Sequence, residues 1–354
     1  MEIFPINADL SVPKKVKFGI DPTHSRLHLG HFVPLRLVRK MQEQGYHITI
    51  VLGTFTAQLG DPTGRESTRP IISADNAEIN AGKILGQINN FLLPGFDVFK
   101  NATIHNNTLL PQFMAVAAEF TTSQMLARNN FKLRQETNQP IGLHELLVPL
   151  LQGLDSVFLD TEIEIGGEDQ LFNFQVARKL QENRGLKQQA CIMLPIINGV
   201  DGKKMSKSAD NCIFLDEIPE EIFGKVMRIS DELMMEWLPL LSDTIEIPTH
   251  PMEIKKTLAF DIVKQIHSLQ IAKNCLNNFI QTIQKKEVPE EISLIEAKTL
   301  LEAICEIRNC SKSEAGRLLK SNSVSINNTK VSDNIELKPG QIIKVGKLHF
   351  GRIS

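Results

Sequence analysis

Near its start the chain runs strand, helix, strand within about forty residues, and that succession narrows the fold more than any other feature. Lys15–Asp21 (KVKFGID) reads as a short strand, Phe32–Gln44 as a helix with Pro34 in its first turn, and His47–Thr54 (HITIVLGT) as a β-branched buried strand. Two strands joined by a helical crossover form a βαβ unit, which pairs its strands in parallel and needs helices over the sheet. A further apolar strand is expected at Cys191–Ile197, before a turn-rich loop at Asn198–Asn211. Residues 75–160 read as mostly helical, as do the more polar residues from Pro219 to about Lys285. Gln284–Ser293 (QKKEVPEEIS) has the composition of a charged linker, and the last sixty residues switch to a helix and then short strands. The expectation is an α/β chain. A parallel-sheet domain covers 1–216 with a helical insertion at about 75–160, a helical domain and linker cover 217–293, and a small α+β module covers 294–354.

Composition excludes several classes. With 354 residues, 42% hydrophobic and 23% charged, the chain is globular rather than disordered. No apolar run reaches the ~18 residues of a membrane span, and MEIFPINADL has neither the basic start nor the apolar run of a signal peptide. The five cysteines are scattered and form no CxxC, so they read as free thiols in a reducing compartment, with no metal site. A cytoplasmic protein without membrane contact is expected. The net charge of −2 hides an asymmetry: from Arg308 onward nine basic residues face three acidic ones, leaving −8 on the 307 residues before them. A basic end on an acidic body suits contact with phosphate.

Two short motifs carry chemistry. His28-Leu29-Gly30-His31 opens the first helix, where free N–H groups and the helix dipole make a site for phosphate. Gly30 lets a nucleotide approach the backbone, and the imidazoles can donate to phosphate oxygens as charge builds there. The competing reading is a pair of capping histidines. Lys204-Met205-Ser206-Lys207-Ser208 follows Asp201-Gly202 in the later loop. Its lysines can close on a triphosphate from the opposite side, and a loop can open again to release product. The competing reading is an exposed basic loop.

HLGH and KMSKS, in that order on a βαβ start, resemble the two signatures of class I aminoacyl-tRNA synthetases. Phe18-Gly19-Ile20-Asp21-Pro22-Thr23 before HLGH, GDPTG at 60–64, and Gly166-Gly167-Glu168-Asp169-Gln170 before KMSKS are similar to the bacterial tyrosyl-tRNA synthetases of the KMSKS-bearing subgroup, over nearly the whole chain. Ser311-Lys312-Ser313-Glu314 reads as a capping box, opening a helix with Ala315, Leu318 and Leu319 on one face and Arg317 and Lys320 on another. SKSEAGRLLKSNSVSIN resembles an S4 RNA-binding domain, with Gly316 where that family usually has a further Arg.

The resemblance implies a Rossmann-like catalytic domain, a helical domain on the anticodon side, and the S4 module. It implies two-step chemistry: tyrosine is activated by ATP, with Mg²⁺, and passed to tRNA(Tyr) by a homodimer. Asp21, Thr23, His28, Gly30 and His31 would contact ATP, Asp169 its ribose, and Lys204, Ser206 and Lys207 its pyrophosphate. Asp61, Gln152 and Gln170 would receive the amino group of L-tyrosine and Asp155 its phenol hydroxyl. Lys312, Arg317 and Lys320 would meet RNA. The residues independently place Val148, Gln152 and Asp155 on one helical face, with Pro149 in that helix's first turn. A Gln and an Asp on an otherwise apolar stripe need partners there. Where the family reads roughly LLYPLLQxYD, Val148 and Leu154 replace both tyrosines. Two alternatives follow: a synthetase paralogue that adenylates another amino acid, and a non-catalytic RNA-binding protein on the same scaffold.

Overall fold

The computed structural model describes residues 1–12, 14–60, 72–281, 292–327, 329–346 and 349–354. The chain divides into two compact units, one of residues 1–217 with 235–240 and one of residues 218–234 with 241–354. The first contains β1 (Glu2–Phe4), β2 (Lys15–Ile20), α1 (Leu29–Glu43), β3 (His47–Leu52), α2 (Thr56–Leu59), α3 (Ala74–Phe91) and β4 (Asp97–Lys100). It continues through α4 (Ala102–His105), α5 (Leu110–Ala117), α6 (Thr122–Leu126), α7 (Asn129–Glu136), α8 (Leu143–Phe158), β5 (Ile163–Gly167), α9 (Leu171–Asn183) and β6 (Ala190–Leu194).

Its six strands lie in the order β1-β6-β5-β2-β3-β4. All neighbours are parallel except β1, which pairs antiparallel with β6. The sheet is therefore mixed rather than wholly parallel. The three residues of β1 and the four of β4 are too short to show an alternation, which is why the sequence does not announce them. β4 also returns the expected helical insertion to the sheet edge, beside β3. The central strands are apolar on both faces, as a doubly covered parallel sheet requires, with Val16, Phe18, Ile48, Ile50, Ile163 and Ile165 buried. Lys17 and Glu164 break that rule side by side, as register neighbours on β2 and β5.

Two prolines stand where sequence reasoning does not put them. Helix α1 begins at Leu29, so Pro34 is its sixth residue rather than part of the first turn. Pro149 is likewise the seventh residue of α8. Each leaves the carbonyl four residues earlier, of Gly30 and Glu145, without its helical donor. Tertiary packing overrides the local penalty. At Gly153, α8 meets α9 so closely that a Cβ would lie 2.7 Å from Leu180 Cδ1 and 3.1 Å from the Ala177 Cα.

The entry to α8 is fixed by a buried ion pair. The Arg134 guanidinium donates to Glu145 Oε2 and Oε1 at 2.6 and 3.0 Å, and Glu145 Oε1 also accepts from Gly142 N–H at 2.9 Å. Burial alone would raise the Glu145 carboxyl, but the bonds from Arg134 and Gly142 hold it below its usual range.

The second unit contains α10 (Pro219–Val226), α12 (Pro251–Ile266) and α13 (Leu269–Phe279), while α11 (Asp231–Leu241) contributes residues to both units. It also holds β7 (Ser293–Ile295), α14 (Leu300–Arg308), α15 (Lys312–Lys320), β8 (Val324–Ile326), β9 (Thr329–Lys330), β10 (Ile342–Val345) and β11 (His349–Ile353). The strands form a second sheet in the order β7-β11-β10-β8-β9 around a core that includes Leu300, Ile304, Ala315, Val324, Ile343 and Val345. Most of the expected charged linker, residues 284–291, lies outside the described residues. Among the described residues no helix is long and apolar enough to cross a membrane.

Glu145→Ala leaves Arg134 buried without a counter-charge and is expected to destabilise the first unit by roughly 3–5 kcal/mol. Arg134→Met with Glu145→Leu is expected to recover most of that loss. Thermal melts of the three proteins followed by circular dichroism check both statements.

Candidate active site

A cavity of about 720 Å³ opens at the C-terminal ends of the parallel strands. It lies where the chain crosses from β2 to β3 on one side while β5 flanks β2 on the other. This reversal point is where open α/β sheets bind ligands. The described residues singled out in the first unit converge on it. Asp21, Thr23, His28, Gly30 and His31 line it from the β2–α1 connection, and Val148, Gln152 and Asp155 from α8. Asp169 and Gln170 follow β5, and Lys204, Ser206 and Lys207 come from the loop after β6. Asp61 lies outside the described residues.

His28 both caps α1 and faces the cavity, so the two readings of HLGH are compatible. Its Nδ1 accepts from Gly30 N–H at 3.1 Å, and its own N–H donates to His31 Nδ1 at 3.3 Å. Burial pushes the His28 imidazolium down to about 3, with Lys207 and then His24 adding to the effect. The neutral ring must therefore carry its hydrogen on Nε2. Gly30 has a packing reason as well as a ligand one: a Cβ there would sit 2.9 Å from His28 Cε1.

Two motifs far apart in sequence meet through a short backbone pairing. Leu29 N–H donates to Ile213 O and Leu215 N–H to Leu27 O, which sets the segment after KMSKS beside HLGH. The buried Asn211 carboxamide organises the signature loop, accepting from Ser206 N–H at 2.8 Å and donating to Asp201 Oδ1 at 2.7 Å. Lys204 Nζ donates to Asp169 Oδ2 at 3.1 Å, so the basic loop already touches the acidic residue after β5. Lys204 is exposed and Asp169 partly so, and such a solvent-screened pair contributes little stability. At the base of the loop, Trp237 is fully buried and its Nε1–H donates to Asn198 O at 3.0 Å.

Asp155 is only 2% exposed and is satisfied at both oxygens. His105 Nε2–H donates to Oδ1 at 2.8 Å and Asn101 Nδ2–H to Oδ2 at 3.2 Å. Asn101 also donates to Thr56 Oγ1, whose hydroxyl donates to Asp21 Oδ1 at 2.7 Å. A chain of polar bonds thus joins the two ends of the cavity. Gly53 makes room for it, since a Cβ would fall 2.0 Å from Asp21 Oδ1. Of the two replaced tyrosines, Val148 reaches the cavity, whereas Leu154 packs into the apolar cluster around Leu150 and Leu180.

Beneath Gln152 lies a network absent from the sequence reading. Lys17 Nζ is 3.0 Å from Glu164 Oε1, and it donates to Gln152 O and Ser156 Oγ. Gln152 Nε2–H donates to Glu164 Oε1 at 3.0 Å. Asn173 Nδ2 donates to the side-chain oxygens of both Gln152, at 2.8 Å, and Gln170, at 2.9 Å. The one available signal was a charge in the middle of each apolar strand, Val16-Lys17-Phe18 and Ile163-Glu164-Ile165.

In the second unit, Ser311 Oγ caps α15 by accepting from Glu314 N–H, while the reciprocal box is complete at Thr299 and Glu302 of α14. Ala315 and Leu319 are buried, and Lys312, Arg317 and Lys320 are exposed. Open space surrounds the Gly316 Cα where a Cβ would project.

The family model described as tRNA synthetases class I (W and Y) matches residues 11–299. The tyrosine–tRNA ligase of Legionella pneumophila (strain Paris) is 38% identical over 97% of this chain and 91% of that protein. The tyrosine–tRNA ligase of Aquifex aeolicus is 38% identical over 96% of this chain and 91% of its own. Among solved structures, the fold is similar to a truncated Aspergillus nidulans mitochondrial tyrosyl-tRNA synthetase (TM-score 0.59, 20% identity, 74% of this chain and 84% of that one). It is also similar to the Archaeoglobus fulgidus tyrosyl-tRNA synthetase complexed with L-tyrosine (TM-score 0.58, 18% identity, 74% of this chain and 90% of that one). With near-full-length relatives at this identity, and the two signature motifs set around one cavity, the chain belongs to the class I tyrosyl-tRNA synthetase family.

Proposed function

We propose that the chain is a tyrosine–tRNA ligase, which activates L-tyrosine with ATP and transfers it to tRNA(Tyr). The observation that carries this reading is the pairing of a buried carboxylate, Asp155, at one end of the cavity with the HLGH and KMSKS residues at the other. Two of the roughly four acceptor positions of Asp155 are taken, which leaves room for a phenol O–H. A site built to bond that hydroxyl rejects phenylalanine strongly; a tyrosyl enzyme is itself the general example, at about 10⁵.

In the first step a carboxylate oxygen of tyrosine attacks the α-phosphorus of ATP in line. The bond to the bridging oxygen breaks, giving tyrosyl-adenylate and pyrophosphate. Positioning and neutralisation of charge do the work, without a covalent nucleophile on the protein. The start of α1 turns the positive end of its helix dipole toward the phosphates, His28 donates from Nε2, and Lys204 and Lys207 hold the departing pyrophosphate with Ser206 beside them. Thr23 and Gly30 adjoin the phosphates, and Asp21 and Asp169 hold the nucleoside. Mg²⁺ arrives with ATP; among the described residues no group of three or more His, Cys, Asp or Glu forms a protein-built metal site. The terminal ribose of tRNA(Tyr) then displaces AMP from the adenylate.

Residues 294–354 act as an S4 module, with Lys312, Arg317 and Lys320 on RNA phosphates. The catalytic domain is Rossmann-like, and the chain works in the cytoplasm, where free thiols persist. Homodimerisation through the inserted region is supported by exposed apolar side chains there, including Leu110 at 72%, Leu143 at 73% and Phe158 at 63% exposure.

Amino-acid-dependent ATP–pyrophosphate exchange across the twenty standard amino acids is expected to respond to tyrosine alone. Exchange with another amino acid would instead favour the altered-pocket paralogue suggested by Val148. Val148→Tyr restores a hydroxyl to the cavity and is expected to lower the KM for tyrosine about fivefold, the effect of one hydrogen bond near 1 kcal/mol.

His28 is neutral when folded and titrates near its ordinary 6.5 when unfolded, so its burial favours the native state above pH 6.5 and progressively less as pH falls toward 3. His28→Asn keeps the capping acceptor and removes the titration. Between pH 6.5 and 4 its melting temperature is expected to fall less steeply than that of the wild type, which loses roughly 1.4 kcal/mol per pH unit from this group.

Gly316→Arg fills open space on an exposed helix. It is expected to stabilise the second unit by about 1 kcal/mol and to tighten tRNA binding, with a steeper salt dependence in filter binding.

A further inference from the structure

The polar network below the amino-acid end of the cavity runs in one chemical direction. Glu164 is paired with Lys17 and accepts, so the group of Gln152 facing it must be the NH₂. That fixes the Gln152 carbonyl oxygen on the other side, where Asn173 Nδ2 donates to it at 2.8 Å. The same nitrogen donates to the Gln170 carbonyl oxygen at 2.9 Å. Turning the Asn173 amide over would set its oxygen against two other oxygens, so each amide along the chain has a single allowed orientation. Asn173 is fully buried on α9 and lines neither ATP nor phenol positions. Among the described residues its Oδ1 has no partner, so its bonding rests on the two glutamines.

The geometry has a consequence for what the two oxygens can hold. One donor nitrogen at 2.8 and 2.9 Å from both sets them apart by the spacing that another nitrogen, bonding both from the cavity side, would need. A primary ammonium offers donors only and fits that position. An amide turned to present NH₂ would oppose it. We infer that Asn173 is a positioning residue for the amino-acid site: it holds the carbonyl oxygens of Gln152 and Gln170 toward the cavity as a paired acceptor for the substrate's ammonium group. This rests on reading the cavity as the tyrosine site. It also explains how the site grips the amine although Val148 carries no hydroxyl.

The test compares L-tyrosine with 3-(4-hydroxyphenyl)propanoate, which keeps the phenol and carboxylate but lacks the amine. Dissociation constants are measured calorimetrically, the weaker ligand by displacement, on the full-length wild type, Asn173→Ala and Asn173→Asp. Alanine frees both glutamines; aspartate is isosteric and draws their NH₂ groups inward. Both variants are expected to bind tyrosine about tenfold more weakly, with the analogue and ATP changed less than twofold. Either variant decides the matter if the other does not fold. Equal losses for tyrosine and the analogue, or no loss for either, would overturn the positioning role. A wild type that binds tyrosine no better than the analogue would overturn the reading of the cavity itself.

Discussion

The ion pair between Lys17 and Glu164 is the constraint on which the amino-acid end of the site depends. It sits between the two middle strands, β2 and β5, with both side chains at 2% exposure. Two charges removed from water are tolerable only when paired and further bonded. Here Ser156, Gln152 and Gln189 complete the Glu164 carboxylate, and the Gln152 carbonyl and Ser156 hydroxyl complete the ammonium. Because Gln152 and Ser156 are one turn apart on α8, the pair ties that helix to the sheet at a fixed height and rotation. Asp155, between them in sequence, is thereby aimed at the cavity.

The nucleotide end is built differently, from backbone rather than buried charge. The pairing of residues 27–29 with 213–215 brings two sequence-distant segments together with main-chain bonds, and the first N–H of α1, from Leu29, is itself one of the donors that join them. The basic loop is then shaped by Asn211, whose single carboxamide holds the Asp201 side chain before KMSKS and main-chain groups of Lys204 and Ser206 within it. One end of the cavity is thus held by buried charge and the other by main-chain pairing and a hydrogen-bonded loop. That division suits a reaction that must recognise a small amino acid and then release pyrophosphate.

Much of this was legible in the residues. HLGH and KMSKS are contiguous motifs, so the family resemblance they carry is read from adjacent positions. Helical spacing puts Val148, Gln152 and Asp155 on one face, and the family resemblance is what pointed that face at a substrate. The Lys17–Glu164 pair was hidden because its partners are more than a hundred residues apart and each sits in a strand whose neighbours look ordinary. Asn173 and His105 were hidden for the same reason: their significance lies in partners supplied by other elements. Pro34 and Pro149 misled because a propensity rule places proline in a first turn; at Pro149 the close packing of α8 on α9 outweighs that rule, and at Pro34 the burial of that face of α1 does. The edge strands β1 and β4 are too short to carry a periodic signal.

The burial of Trp237 has an optical consequence. The chain has one Trp and one Tyr, so indole emission comes from a single position. That indole is sealed from solvent and hydrogen-bonded to the Asn198 carbonyl, where the signature loop leaves the body of the catalytic unit. Its emission wavelength and quenching therefore report on the root of the loop without any introduced label. The protein carries its own spectroscopic probe beside the KMSKS segment.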